Sequence, residues 1–118
     1  MSTANAPAGP LTTHVLDVSR GRPAQGVPVR LDRQENGAWK ALSEGKTDAD
    51  GRCPGLLAPG ALSLGAYRLA FDTRAYFEAQ GQRGFYPFVE IVFEVGDDRH
   101  HHVPLLLSPF GYSTYRGS

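Results

Sequence analysis

The chain has 118 residues, 41% of them apolar, and its 12 Lys plus Arg balance its 12 Asp plus Glu at a formal net charge of zero. That length suits one domain with one core. Zero net charge argues against nucleic acid or an anionic membrane as partner, since both demand a basic surplus, and it lowers the barrier to self-association.

Met1 to Pro10 lack the basic and apolar regions of a signal peptide and read as a disordered segment, with a single domain over 11–118. No apolar run approaches the ~20 residues of a membrane span. The lone Cys53 excludes an intrachain disulfide. The last three residues are not the peroxisomal Ser-Lys-Leu, so the expected location is the cytoplasm.

Fourteen Gly and nine Pro cut the rest into short segments, as in a β-rich domain. Leu11 to Val18 reads as a strand, with Leu11, Thr13 and Val15 on one face and Thr12, His14 and Leu16 on the other. Ser19 to Gln25 reads as a loop. Val27 to Gln34 is a second strand, with Val29 and Leu31 opposite Arg30 and Asp32. Glu35-Asn36-Gly37 carries a hairpin signal, and Trp39 to Thr47 returns as a third strand. Asp48-Ala49-Asp50-Gly51 is a turn, followed by a short strand from Arg52. Ala66 to Asp72 is the next strand. Thr73 to Gln80 is alanine-rich and reads as one short helix, with Thr73 as N-cap and Gly81 as stop. Phe85 to Val95 is a long strand, and His101 to Leu107 and Tyr112 to Arg116 are the last two. About eight strands and one helix imply a mainly β, two-sheet sandwich.

The chemistry-bearing residues are His14, centred in the first strand, Arg52 beside a turn, and His100-His101-His102, which runs into an apolar strand. Histidine suits proton transfer near neutral pH, and arginine stays charged with planar donors for a flat array of oxygens. Three consecutive histidines also suggest metal, since imidazole binds zinc well. Yet only His100 and His102 share a strand face, and two further ligands would have to come from elsewhere, His14 being one candidate. No obligatory metal and no cofactor is expected. Asp48 to Gly51 lacks the later carboxylates of a calcium loop.

Four blocks in order resemble the transthyretin-related proteins. They are Leu11-Thr12-Thr13-His14-Val15-Leu16-Asp17, Thr47-Asp48-Ala49-Asp50-Gly51-Arg52, Tyr86-Pro87, and His102-Val103-Pro104-Leu105-Leu106-Leu107-Ser108-Pro109 with the closing Tyr115-Arg116-Gly117-Ser118. The position of His101 is commonly aromatic in that family; by alternation His101 faces away from His102, so little consequence is expected. Members ending in Tyr-Arg-Gly-Ser are 5-hydroxyisourate hydrolases. The resemblance implies a transthyretin-like sandwich and catalytic equivalents at His14, Arg52, His102 and Ser118. It also implies a homotetramer, a dimer of dimers, with active sites in a channel between dimers. The substrate is a small oxidised purine whose six-membered ring is opened by water, without cofactor. His102 or His14 would be the base, Arg52 the anion clamp, and Ser118 would position substrate or water; Tyr112 and Tyr115 are candidate pocket residues. A nucleophilic Ser118 is disfavoured, because no Gly-x-Ser-x-Gly elbow surrounds it. The alternative reading is a non-catalytic carrier of a small aromatic ligand. A bare interaction module would leave the ending unexplained.

Overall fold

The computed structural model describes residues 9–118. The strands are β1 (Leu11–Asp17), β2 (Arg22–Pro23), β3 (Pro28–Glu35), β4 (Ala38–Lys46), β5 (Gly65–Phe71), β6 (Val89–Val95), β7 (His101–Ser108) and β8 (Gly111–Thr114), and one helix, α1 (Thr73–Glu78), lies between β5 and β6. They form two four-stranded sheets, ordered β2-β1-β7-β8 and β4-β3-β5-β6. The mainly β, two-sheet expectation holds.

Alternation builds the core. Along β1, Leu11, Thr13, Val15 and Asp17 are buried while Thr12, His14 and Leu16 are half-buried. Val103, Leu105 and Leu107 of β7 continue that inner face, and Val29, Leu31, Tyr67, Leu69, Phe71 and Ile91 of the second sheet meet it. The β3–β4 hairpin turns through Asn36 and Gly37, both at positive φ (53° and 80°), as a two-residue primed turn requires. β1 and β7 are parallel, pairing Thr12 with His102 and His14 with Pro104. This pairing positions the site.

Several expected boundaries shift. Most of the expected disordered segment lies outside the described residues, but its last residue, Pro10, already accepts the His101 amide at 2.9 Å. The N-cap of α1 is Asp72, whose carboxylate accepts the Ala75 amide at 3.0 Å, and not Thr73. The Thr73 hydroxyl is engaged elsewhere, donating to the Tyr86 carbonyl at 2.9 Å. α1 therefore spans six residues, short of Gln80. β6 begins at Val89, not Phe85, because Pro87 has no amide to give a ladder. β2 lies inside the expected loop. Arg52 makes one isolated bridge where a short strand was expected, and β8 stops at Thr114. Among the described residues no helix is long and apolar enough to cross a membrane.

Candidate active site

Thr47 to Arg52 is held residue by residue. The buried Thr47 hydroxyl donates to the Ala24 carbonyl at 2.7 Å and accepts the Val27 amide at 2.8 Å. Asp48 then organises the turn, its carboxylate accepting the amides of Asp50 (2.9 Å) and Arg52 (3.0 Å). Gly51 sits at φ +79°, and a Cβ there would lie 2.3 Å from the Val15 carbonyl oxygen. Only glycine allows that approach. The Gly51 carbonyl accepts the Val15 amide at 2.8 Å, which docks the turn on β1 and brings Arg52 opposite His14 as an antiparallel bridge. Among the described residues Arg52 forms no ion pair.

His14 reaches the Asp50 carbonyl through Nε2 at 2.7 Å. A carbonyl only accepts, so Nε2 carries the hydrogen and Nδ1 is left for other partners. His102 stands beside Thr12 on the same outward face, its Nδ1 2.7 Å from the Thr12 hydroxyl. Its Nε2 is therefore the ring nitrogen left for chemistry. Burial, then the Arg52 charge, then His100 and His14, hold the His102 imidazole below its usual 6.5. A histidine so placed is neutral at neutral pH and can accept a proton.

The tail lies across this face. The Gly117 amide donates to the His102 carbonyl at 2.8 Å, and an ion pair from Arg116 to Asp97 at 4.0 Å ties the tail to the β6–β7 turn. Ser118 follows directly and is exposed. The fold thus brings His14, Arg52 and His102 onto one outer face, with Ser118 next to the residue bridged to His102. Tyr115 is exposed, two residues before Gly117. Tyr112 is placed elsewhere: it pairs with Leu107, whose side chain points into the core, and its ring packs edge-on against Tyr86 with centroids 5.1 Å apart. Sequence reasoning missed Thr12 and the Asp50 carbonyl as partners of the two histidines. The two-residue period put Thr12 on the His14 face, but its pairing with His102 needs the long-range parallel register.

His101 points the other way, as alternation requires. It is 3% exposed, and its Nδ1 donates to the Arg99 carbonyl at 2.7 Å, while its buried Nε2 has no partner among the described residues. Among those residues no three His, Cys, Asp or Glu side chains come close enough together to hold a metal ion. A hollow of about 320 Å³ between β6 and the tail is lined in part by His102, Tyr115 and Arg116. A larger groove of about 1010 Å³ lies on the other sheet, lined by Arg30, Arg74 and Phe88, and holds none of the residues singled out from sequence. The histidine face is open to solvent. Two imidazoles with one nitrogen free each, beside a permanent cation, can move protons and stabilise an oxyanion.

The described geometry has known counterparts. The model of the HIUase/Transthyretin family matches residues 11–117. The chain is 52% identical over 114 residues to the 5-hydroxyisourate hydrolase of Mus musculus, an alignment covering 94% of this chain and 97% of that one. The fold superposes on sea bream transthyretin in complex with thyroxine at a TM-score of 0.86 and 36% identity, covering 92% of this chain and 94% of that one. It also superposes on the 5-hydroxyisourate hydrolase of Klebsiella pneumoniae at 0.79 and 39%, covering 92% of each. A thyroxine-bound transthyretin and a hydrolase therefore both match the backbone, and only the side chains on the outer face discriminate between them.

Proposed function

The chain belongs to the HIUase/transthyretin family, and we propose that the outer face of β1 and β7 is where it does its chemistry. It is a hydrolase that opens the ring of 5-hydroxyisourate with water, giving 2-oxo-4-hydroxy-4-carboxy-5-ureidoimidazoline, a step of urate degradation. The observation that carries the site is the convergence of His14, Arg52 and His102 on that one face. A carrier pocket is lined mainly by apolar side chains, whereas this face presents two imidazoles and a guanidinium.

Hydrolysis adds the water oxygen to a ring carbonyl and breaks the ring C–N bond. One hydrogen of water ends on the departing nitrogen, and the other leaves as a proton when the carboxylate forms. We assign His102 as the base that takes the proton from water, because it stays neutral and its Nε2 is free of the Thr12 contact. Arg52 holds the oxyanion and the flat carbonyl array. His14, fixed by the Asp50 carbonyl, hydrogen-bonds substrate through Nδ1. Ser118 positions substrate or water, and Tyr115 covers it.

Exposed aromatics and open sheet edges support assembly. Phe85, Tyr86, Phe88, Val92, Phe110, Tyr112 and Tyr115 are exposed, and β6 and β8 are edge strands of their sheets. Unpaired edges flanked by exposed aromatics are surfaces that a second copy covers. We assign a homotetramer, a dimer of dimers whose channel closes over the histidine face, with residues 11–118 as its single domain; Tyr112 belongs to the aromatic patch between copies. Cys53, buried and free, fits a reducing compartment, and the cytoplasm is the location we assign. The test is spectrophotometric: loss of freshly generated 5-hydroxyisourate, with and without protein, read together with sedimentation of the same sample.

A further inference from the structure

One hydroxyl joins two histidines. Thr12 Oγ1 lies 2.8 Å from His100 Nε2 and 2.7 Å from His102 Nδ1, and the two rings stack with centroids 6.2 Å apart. A hydroxyl has one hydrogen, so it donates to one ring and accepts from the other. The three groups are therefore coupled: the state of His100 decides which nitrogen of His102 carries hydrogen. His100 is exposed while His102 is half-buried, so the chain of contacts runs from the reacting face to solvent. The titratable or charged groups around His102 are Arg52 from the turn, His14 from β1 and His100 just before β7, with Glu94 of β6 and Tyr115 and Arg116 of the tail lining the same hollow.

We propose that Thr12 and His100 form with His102 a proton relay, in which Thr12 is a positioning residue that fixes the His102 tautomer and His100 exchanges the proton with solvent. The proposal rests on the hydrolase reading and on His102 as its base. At rest His102 donates from Nδ1 to Thr12, Thr12 donates to His100 Nε2, and His102 Nε2 presents its lone pair. As the water oxygen bonds to the ring carbonyl, His102 Nε2 takes the water proton. Its Nδ1 hydrogen passes to Thr12, the Thr12 hydrogen passes to His100 Nε2, and His100 releases a proton from Nδ1 to solvent. His102 now carries hydrogen on Nε2. As the ring C–N bond breaks, that hydrogen goes to the departing nitrogen, and the same chain runs backwards, with His100 taking a proton from solvent. The new carboxyl loses its proton to water, and the relay is restored. No other reactant is needed.

The test uses the full-length wild-type chain with Thr12→Val, Thr12→Ser and His100→Gln. Thr12→Val should lower kcat about 10- to 100-fold, the range for losing general acid–base assistance, with KM nearly unchanged; Thr12→Ser, which keeps the hydroxyl, should recover most of it. The acidic limb of the Thr12→Val rate profile should move to lower pH, because the hydroxyl favours the protonated ring. His100→Gln can hydrogen-bond Thr12 but cannot relay, so its kcat should fall and free imidazole should partly restore it. Ring nitrogen NMR of resting wild type should show His102 protonated at Nδ1, and Thr12→Val a mixture of tautomers. Wild-type kcat in either Thr12→Val or His100→Gln would overturn the relay. So would an active wild type whose resting His102 is protonated at Nε2. A folded wild type that hydrolyses nothing, with His102 protonated at Nδ1, would overturn the hydrolase reading instead. Should Thr12→Val not fold, the Thr12→Ser, His100→Gln and NMR readouts decide.

Discussion

Gly117 lies against the His102 ring so closely that a Cβ on it would stand 2.4 Å from His102 Cδ2 and 3.1 Å from Cγ. The ring cannot yield without leaving the position from which Nδ1 meets Thr12. Gly117→Ala should therefore lower kcat about 10²-fold, the cost of misplacing a catalytic group by about an ångström. The edge position should leave the melting temperature within a few degrees of wild type. Initial rates beside far-UV circular dichroism check both parts.

The pH profile follows from His102. Its pKa is held below 6.5, first by burial and then by Arg52, His100 and His14. The base must be neutral, so the acidic limb of the rate should fall below the ordinary histidine value. Removing the Arg52 charge takes away one cause of the lowering, so Arg52→Ala should move that limb to higher pH while lowering kcat. Rates measured across pH for both proteins give the sign.

Asp17 links β1 to α1. It is fully buried and accepts the Tyr76 hydroxyl at 2.7 Å and the Ser19 hydroxyl at 2.6 Å. Burial alone would raise its pKa, but hydrogen bonds from Ser19, Tyr76 and Arg20 outweigh it and hold the carboxyl below its usual 3.8. A folded pKa below the unfolded one adds stability above the ordinary carboxylate range, and that stability is lost as pH falls through the folded value. Tyr76→Phe should cost about 1–3 kcal/mol at neutral pH, and the difference from wild type should shrink on acidification. Urea unfolding at several pH values measures it.

His101 buries Nε2 without a partner among the described residues. An unpaired buried polar atom costs about 1–3 kcal/mol. His101→Phe, an aromatic at a site facing away from His102, should raise the unfolding midpoint and leave kcat within about twofold. A lower midpoint would mean that the Nδ1 bond to the Arg99 carbonyl is worth more than the orphan costs.

Local physics was legible in the sequence, and long-range pairing was not. The alternation that put Leu11, Thr13 and Val15 inside and His14 outside holds along β1, and the Asn36-Gly37 turn has the primed geometry its residues require. Asp72 and Thr73 both suit the helix cap, and only the Tyr86 carbonyl, thirteen residues on, decides which is free. Arg52 and His14 were each legible as functional types. Their meeting depends on Gly51 docking on Val15, and a backbone carbonyl such as that of Asp50 leaves no mark in side-chain pattern. Tyr112 pairs with Leu107, whose side chain points inward, and packs against Tyr86, a placement that only the β7–β8 register reveals.

The central claim is that one outward face, carrying His14, Arg52 and His102, opens the ring of 5-hydroxyisourate. The direct measurement is the initial rate on freshly generated substrate for wild type, His14→Ala, Arg52→Ala and His102→Ala, each verified as folded. Wild type should far outpace spontaneous decay, and each substitution should lower the rate by about 10²-fold or more. A wild-type rate equal to spontaneous decay, or a His102→Ala protein as fast as wild type, would contradict it.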